Sequence, residues 1–131
     1  MTRLVADASA VVDLLAGGRQ APAIRAALST VAEVDVPEHF HVEAISALRG
    51  LLGRGDLSPE RADRALDLLA DLRVIRHPVM PLARDVWALR ATHTAYDAGY
   101  LAVARALDAR VLTTDAGLAS AARSDGRLVA L

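Results

Sequence analysis

The fold class is set by the segment Leu4-Val5-Ala6-Asp7-Ala8-Ser9-Ala10-Val11-Val12-Asp13-Leu14-Leu15. Its first three residues form a short apolar run that ends at an acid, which is typical of a buried strand. From Ala8 onward the apolar residues recur at helical spacing, and Gly17-Gly18 marks the end of that helix. The segment therefore predicts a strand that passes directly into a helix.

The rest of the chain repeats this alternation of strand and helix. Strands are predicted over 34–37, 73–78, 110–114 and 127–131, and helices over 21–29, 40–52, 59–72, 80–91, 95–107 and 115–123. Such alternation implies an α/β fold in which a mainly parallel sheet is covered by helices on both faces. No linker or repeat interrupts the pattern, so one domain is expected over residues 1–131.

Composition narrows the class of protein. The 131 residues are 53% hydrophobic and 24% charged, which excludes a disordered chain. Cysteine is absent, so disulfides, thiolate metal sites and cysteine nucleophiles are excluded. All 15 basic residues are arginine, and the absence of lysine excludes Schiff-base chemistry and a P-loop lysine.

Charge and hydropathy bear on partners and location. The net charge of −1 means that nucleic acid would be held by local arginine patches and not by a global basic field. A charge at Asp7 interrupts the N-terminal apolar residues, and no uncharged apolar run is long enough to span a membrane. We therefore expect a soluble protein in the reducing cytoplasm.

Four acids stand at positions that matter in such a fold. Asp7 and Asp115 each follow a predicted parallel strand, at the sheet edge where α/β proteins form their sites. Glu43 and Asp97 lie in helical stretches whose neighbours are mostly apolar or small, which favours a cleft over bulk water. Each acid also has a simpler interpretation. Asp7 and Asp115 can cap helices, Thr94 with Asp97 fits a capping box, and Glu43 can be a solvated helix residue.

Converging carboxylates repel one another and call for a cation. Oxygen ligands without cysteine favour Mg²⁺ or Mn²⁺ over zinc. Such an ion lowers the pKa of water and stabilises charge on a phosphodiester, and water is the expected nucleophile because lysine, cysteine and a convincing histidine pair are all missing. The acids thus predict metal-dependent hydrolysis of phosphodiesters.

Four motifs together carry a family resemblance that covers nearly the whole chain. They are Val5-Ala6-Asp7-Ala8-Ser9, Val42-Glu43-Ala44-Ile45-Ser46-Ala47-Leu48-Arg49, Thr94-Ala95-Tyr96-Asp97-Ala98-Gly99-Tyr100 and Leu112-Thr113-Thr114-Asp115-Ala116-Gly117-Leu118. With these motifs the sequence resembles the PIN-domain ribonucleases, specifically the VapC-type toxins of bacterial toxin–antitoxin pairs. The resemblance implies a PIN-like sheet of about five strands in the order 3-2-1-4-5.

The resemblance also implies how the site works. Asp7, Glu43, Asp97 and Asp115 would form the catalytic acidic quartet, with Asp7 and Asp97 tied most directly to Mg²⁺ or Mn²⁺. RNA would be the substrate, a VapB-type antitoxin the inhibiting partner, and a homodimer the assembly. Hydroxyls of Ser9 and of Thr113 or Thr114 would bind the acids or the water on the metal, or would serve as ordinary caps.

Several residues keep two interpretations at this stage. His39, one helical turn before Glu43, is either a metal ligand or a capping residue at the surface. Tyr96 and Tyr100 either stack on a base or pack in the core or a dimer, and Trp87 is expected as a core anchor. Three arginines are candidates for phosphate contacts, namely Arg49, Arg54 and Arg90.

Other functions remain open. A phosphoacceptor receiver domain and a haloacid-dehalogenase-like phosphatase share the strand-end aspartate, but both need a lysine, and the phosphatase needs a second acid where Ser9 stands. A housekeeping RNA-processing nuclease of the PIN type and a catalytically silent PIN-fold binding module fit the same residues.

Overall fold

Four parallel strands form one sheet in the computed structural model, which describes residues 1–131. They are β1 (Leu4–Ala6), β2 (Val34–Pro37), β3 (Val74–His77) and β4 (Arg110–Leu112), arranged in the order β3-β2-β1-β4. The α/β class, the parallel sheet and the adjacency of the first and fourth strands are confirmed. Because β1 and β4 are neighbours, the residues that follow them lie at the same edge.

The fifth predicted strand, over 127–131, is reduced to one bridge between Val111 and Leu128. The reason lies in β4, which is only three residues long. Arg110 and Leu112 direct their backbone hydrogen bonds to the β1 side, so Val111 alone faces the outer edge. A single residue offers only one donor and one acceptor, and these are used by the segment around Leu128.

Seven α-helices cover the sheet. They are α1 (Ala8–Leu15), α2 (Ala21–Leu28), α3 (Phe40–Gly53), α4 (Pro59–Asp71), α5 (Ala83–Ala88), α6 (Ala95–Leu107) and α7 (Ala116–Ser124). Most begin and end within two residues of the prediction. The exception is 80–91, where a 3-10 turn over Met80–Leu82 precedes a short α5. Pro81 has no amide hydrogen, and the first turn closes instead through Leu82 N and Val79 O, 2.8 Å apart.

The core is aliphatic, as the composition predicts, and it contains all of β1 together with the large side chains of Phe40 and Tyr100. The prediction that Trp87 anchors this core is wrong, because 64% of that residue is exposed. Leu82 and Leu89 are the side chains that pack inward from this region, and they leave Trp87 facing outward. Its ring instead lies under the guanidinium of Arg90, 4.8 Å from the ring centroid.

One buried charge stabilises the sheet away from the predicted site. Asp35 of β2 is buried and accepts two hydrogen bonds from Arg3, at 3.0 and 2.6 Å. The Nε2 of His77, at the end of β3, lies 2.8 Å from the same carboxylate. These contacts satisfy a carboxylate that would otherwise be costly to bury.

No helix has the length and apolar character needed to cross a membrane.

Candidate active site

Asp7 lies at the carboxyl end of β1 and is 5% exposed. Its Oδ2 accepts hydrogen bonds from Ser9 Oγ at 2.6 Å and from Thr113 Oγ1 at 2.7 Å. Although Asp7 occupies the N-cap position of α1, its side chain makes no capping hydrogen bond. The capping interpretation is therefore wrong for Asp7, and its Oδ1 is left without a hydrogen-bond donor from the protein.

The hydroxyls around Asp7 form a connected network. Thr113 Oγ1 also accepts from Asp115 N at 3.0 Å, and Ser9 Oγ accepts from Thr114 N at 3.2 Å. Ser9 and Thr113 thus contact an acid as the sequence indicated, whereas Thr114 contributes its backbone amide. The network fixes the ends of β1 and β4 relative to each other.

Asp115 is one of the acids for which the sequence leaves two interpretations, a helix cap or a residue of the site. It is the N-cap of α7, where its Oδ2 accepts from Leu118 N at 2.8 Å. The capping interpretation is therefore correct for Asp115. Its other oxygen accepts no hydrogen bond from the protein, and its charge reaches Asp97 strongly enough to raise the pKa of that carboxyl.

Glu43 extends from α3 toward the same edge. Its side chain is 28% exposed, and its Oε1 accepts a hydrogen bond from Tyr100 at 2.7 Å. Burial raises the pKa of the Glu43 carboxyl, and the nearby charges of Asp7 and Asp97 add to this effect, while the Tyr100 bond opposes it. Glu43 is therefore not a solvated residue of an exposed helix face.

Asp97 lies in the first turn of α6. Its backbone amide donates to Thr94 Oγ1 at 3.2 Å, which is half of the expected capping box. The other half is missing, because the Asp97 carboxylate accepts no hydrogen bond from the protein. Burial raises the pKa of this carboxyl, followed by the negative charges of Asp115 and Asp7. The side chain is thus free for another function.

The charges of Asp7 and Asp97 act on Glu43, and those of Asp115 and Asp7 act on Asp97, yet the structure supplies no arginine to any of these four acids. Asp7, Asp97 and Asp115 take part in no ion pair. The only basic side chain paired with Glu43 is that of His39, whose Nε2 lies 3.6 Å from Glu43 Oε1. Uncompensated carboxylates of this kind fit an oxygen-binding cation.

A cation bound by these acids would have to keep several of its own waters. No three acidic or histidine side chains converge closely enough to form a ready coordination cage. Mg²⁺ commonly binds through one or two carboxylates and keeps several waters, so such a cage is not required. Three of the acids accept hydrogen bonds from the protein on one carboxylate oxygen only, and their other oxygen has no protein donor. These are Asp7, Glu43 and Asp115.

Two contributors were missed or left open by the sequence. Tyr100 is fully buried, and burial raises the pKa of its phenol far above the ordinary value, so the hydroxyl stays protonated and donates to Glu43. The three-residue spacing from Asp97 to Tyr100 puts both on one face of α6 and is a usable signal. The Nε2 of His39 lies 3.0 Å from the carbonyl oxygen of Tyr96. This nitrogen is therefore hydrogen-bonded to the backbone, which disfavours the interpretation of His39 as a metal ligand.

A groove with a volume of about 880 Å³ runs between α1 and α3 and adjoins the acids through Ser9 and Glu43. Arg54 and Arg61 line its far part. Of the three arginines predicted to contact phosphate, only Arg54 lines this groove, and it is paired with Asp56 at 3.3 Å. The groove offers an extended ligand a path to the acids.

Comparison with known proteins matches the PIN domain family to residues 4–124. Ribonuclease VapC1 of Mycobacterium tuberculosis is 39% identical over 122 residues, which are 92% of this chain and 92% of that protein. Ribonuclease VapC3 of the same species is 38% identical over 120 residues, 91% of this chain and 87% of that protein. The VapC ribonuclease Mb0985 of Mycobacterium bovis is 38% identical over 112 residues, 86% and 85% of the two chains.

Solved structures agree on the fold. VapC20 of Mycobacterium tuberculosis, described as a Sarcin-Ricin loop cleaving toxin, has a TM-score of 0.68 at 18% identity, over 90% of this chain and 94% of that chain. PAE2754 of Pyrobaculum aerophilum has a TM-score of 0.70 at 23% identity, over 97% and 83% of the two chains. At these identities the likeness concerns the arrangement of strands and helices.

Proposed function

The chain belongs to the PIN domain family, and on that premise we propose that its acidic quartet hydrolyses RNA with a bound divalent cation. The chain is an RNA-hydrolysing enzyme of the VapC type, the toxin of a toxin–antitoxin pair, in keeping with its relatives named ribonuclease VapC. The use of Mg²⁺ or Mn²⁺ and the role of each carboxylate are the further parts of the proposal.

One observation carries the proposal: four carboxylates at the edge of β1 and β4 act on one another's charge with no arginine among them, in a chain with 15 basic residues. Asp35, the only buried carboxylate besides Asp7, is paired with Arg3, and the partly buried Asp125 is paired with Arg105. Acids kept for stability alone would be expected to have such partners. A catalytically silent binding module explains the absence of arginine partners at these four acids less well.

Each residue has a defined part in the proposed reaction. Asp7 and Asp97 would hold the cation, which when bound supplies positive charge to stabilise the phosphodiester as it is cleaved. Glu43 and Asp115 orient the attacking water, and one of them takes its proton on the oxygen that has no protein donor. Ser9, Thr113 and Tyr100 donate hydrogen bonds that keep the carboxylates in place without neutralising them.

Cleavage of a labelled RNA by the purified protein tests the proposal. We expect cleavage with Mg²⁺ or Mn²⁺, none with EDTA, and a loss of about a hundredfold or more in Asp7→Asn and Asp97→Asn. Asp67→Asn is the matched control, because Asp67 is exposed on α4 and has no ion pair. Full activity in EDTA, or in Asp97→Asn, would contradict the assignment.

We further propose a VapB-type antitoxin as partner, with an arginine that pairs with the carboxylates when its inhibitory segment enters the site. Growth arrest on expression, relieved by the antitoxin, is the expected result. Expression without any growth phenotype would favour the housekeeping nuclease. A small antitoxin gene that precedes or overlaps this one would favour the toxin.

A homodimer is also proposed. Its support is the apolar surface of α3, where Val42, Ile45 and Leu52 are exposed on one side of the helix. Light scattering of the purified protein is expected to give twice the mass of one chain, and the mass of a single chain at micromolar concentration would refute the dimer.

A further inference from the structure

We propose that His39 is a positioning residue that holds Glu43 and the first turn of α6, which carries Asp97, at a fixed separation. The proposal rests on the proposed function, because it assigns a role in the same site. His39 precedes α3 directly, and its ring reaches across to α6. The residue thus joins the two helices that bring one acid each to the quartet.

The hydrogen bonds of His39 define its role. Its Nε2 lies 3.0 Å from the carbonyl oxygen of Tyr96, the residue before Asp97. A carbonyl oxygen only accepts, so Nε2 carries the hydrogen and donates it there. The same nitrogen lies 3.6 Å from Glu43 Oε1, the oxygen that also accepts from Tyr100. The Nε2 hydrogen is therefore engaged in linking helices and Nε2 has no lone pair for a metal.

The ring is enclosed on two sides by aromatic residues. It meets Tyr96 and Tyr100 edge-to-face, with centroid distances of 5.5 and 5.4 Å and interplanar angles of 86° and 88°. Its side chain is 17% exposed. Perpendicular contacts of this kind restrict rotation of the ring, so Nε2 is held in one direction.

Gly99 provides the space for this ring. A Cβ atom built at position 99 would lie 2.6 Å from Cε1 and 3.2 Å from Nε2 of His39, and the atoms it would meet all belong to that ring. Glycine weakens the interior of a helix, and Gly99 is buried within α6. Its presence is explained by the close approach of His39.

Few other contacts join the two helices. Helix α3 packs mainly on α1 and α4, whereas α6 packs on the sheet, α5 and α7. Side chains at the site edge, namely His39 and Tyr100, therefore set the position of Glu43 relative to Asp97. Carboxylates that share a cation and a substrate need positions accurate to about half an ångström.

Four variants test the role of His39. His39→Ala removes the ring, His39→Gln keeps a donor amide where Nε2 stands, Gly99→Ala pushes the intact ring out of its place, and His39→Ala/Gly99→Ala combines the two changes. His41→Gln is the matched control on the same helix. The measurements are kcat and KM on a short RNA with Mn²⁺, Mn²⁺ binding by calorimetry without RNA, and thermal unfolding of the metal-free protein.

We expect His39→Ala to lower kcat and Mn²⁺ affinity about tenfold or more, with KM nearly unchanged. Losses of this size are usual when a residue that supports a metal ligand through a hydrogen bond is removed. His39→Gln should stay within about threefold of the wild type, because the donor to Tyr96 remains. Gly99→Ala should resemble His39→Ala. In the double variant the second substitution should have no further effect, because the ring that it would displace is already gone.

Three outcomes would overturn the proposal. They are wild-type kcat and Mn²⁺ affinity in His39→Ala, equal impairment of His39→Gln and His39→Ala, and additive effects of the two substitutions in the double variant. If His39→Ala does not fold, Gly99→Ala and His39→Gln still decide. If the wild-type protein cleaves no RNA, the proposed function fails. The role of His39 is then still tested by Mn²⁺ calorimetry and by the thermal unfolding of the two single variants and the double variant.

Discussion

Asp97→Asn is expected to make the metal-free protein more stable while it reduces the stabilisation that the metal provides. Asp97 is partly buried and lies near the charges of Asp115 and Asp7, and these causes together raise the pKa of its carboxyl. A neutral amide of nearly the same shape relieves the repulsion. The side chain accepts no hydrogen bond that would be lost, and the capping bond to Thr94 uses the backbone amide, which the variant retains.

The magnitude follows from comparable changes of charge. Removal of an unfavourable charge commonly stabilises a domain by about 1 kcal/mol, which corresponds to roughly 4 °C in Tm for a chain of this length. A ligand at about 100 times its Kd stabilises by about 2.7 kcal/mol, and a tenfold weaker Kd reduces this to about 1.4 kcal/mol. The variant is therefore expected above the wild type in EDTA and below it, or level with it, in saturating Mn²⁺.

The pH dependence has a definite sign. The folded state of the wild type binds protons at Asp97 and Glu43 more readily than the unfolded chain does, because both pKa values are raised. Their contribution to the free energy of unfolding therefore increases as the pH falls from neutrality toward these raised pKa values. Asp97→Asn abolishes the part that belongs to Asp97, so its metal-free stability should depend less on pH in this window.

Thermal unfolding in EDTA from pH 8 down to the ordinary aspartate pKa of about 4, and in a Mn²⁺ titration at neutral pH, measures these effects. Asp67→Asn controls for the substitution itself, since that side chain is exposed on α4 and takes part in no ion pair. A variant that unfolds below the wild type in EDTA would refute the argument from repulsion. A variant that gains as much stability from Mn²⁺ as the wild type would refute the assignment of Asp97 as a metal ligand.

Three further predictions concern other residues and the product. Tyr100→Phe is expected to lower kcat about tenfold and stability by about 1 kcal/mol, as kinetics and denaturant unfolding will show, because Glu43 loses its donor. Asp35→Asn should lower the free energy of unfolding by about 3 kcal/mol in denaturant titrations, while the folded fraction keeps wild-type kcat. The cleaved RNA should carry 5′-phosphate and 3′-hydroxyl ends, detectable by ligation, because water attacks the phosphorus and the bond from phosphorus to the 3′ oxygen breaks; 2′,3′-cyclic phosphate ends would contradict this mechanism.

The sequence predicts most of the fold because local signals and the order of elements agree. The apolar run at Leu4–Ala6, the stop at Gly17-Gly18 and the Ser58-Pro59 helix start are all local, and the structure has a strand or a helix boundary at each. The fifth strand was overestimated because its length depends on what β4 offers as a partner. Pairing of that kind is a property of the assembled sheet.

The four acids could be found from their positions at strand ends and in helices with few charges. Their hydrogen bonds could not, because these depend on how α3 and α6 approach each other. The bond from Tyr100 to Glu43 joins residues 57 positions apart, and the contact of His39 with Tyr96 spans the same separation. Trp87 shows the opposite failure, since its hydrophobicity indicated burial while the short α5 turns it outward.

The donors around the acids explain how the site remains negative. Ser9 and Thr113 hold Asp7, and Tyr100 holds Glu43, all through neutral hydroxyls. An arginine in any of these places would hold the carboxylates as firmly but would also neutralise them, and a cation would then bind weakly. The arginines are instead paired or located elsewhere. The same reasoning explains why an arginine delivered by an inhibiting partner would be effective: it supplies the charge that the chain itself keeps away from these acids.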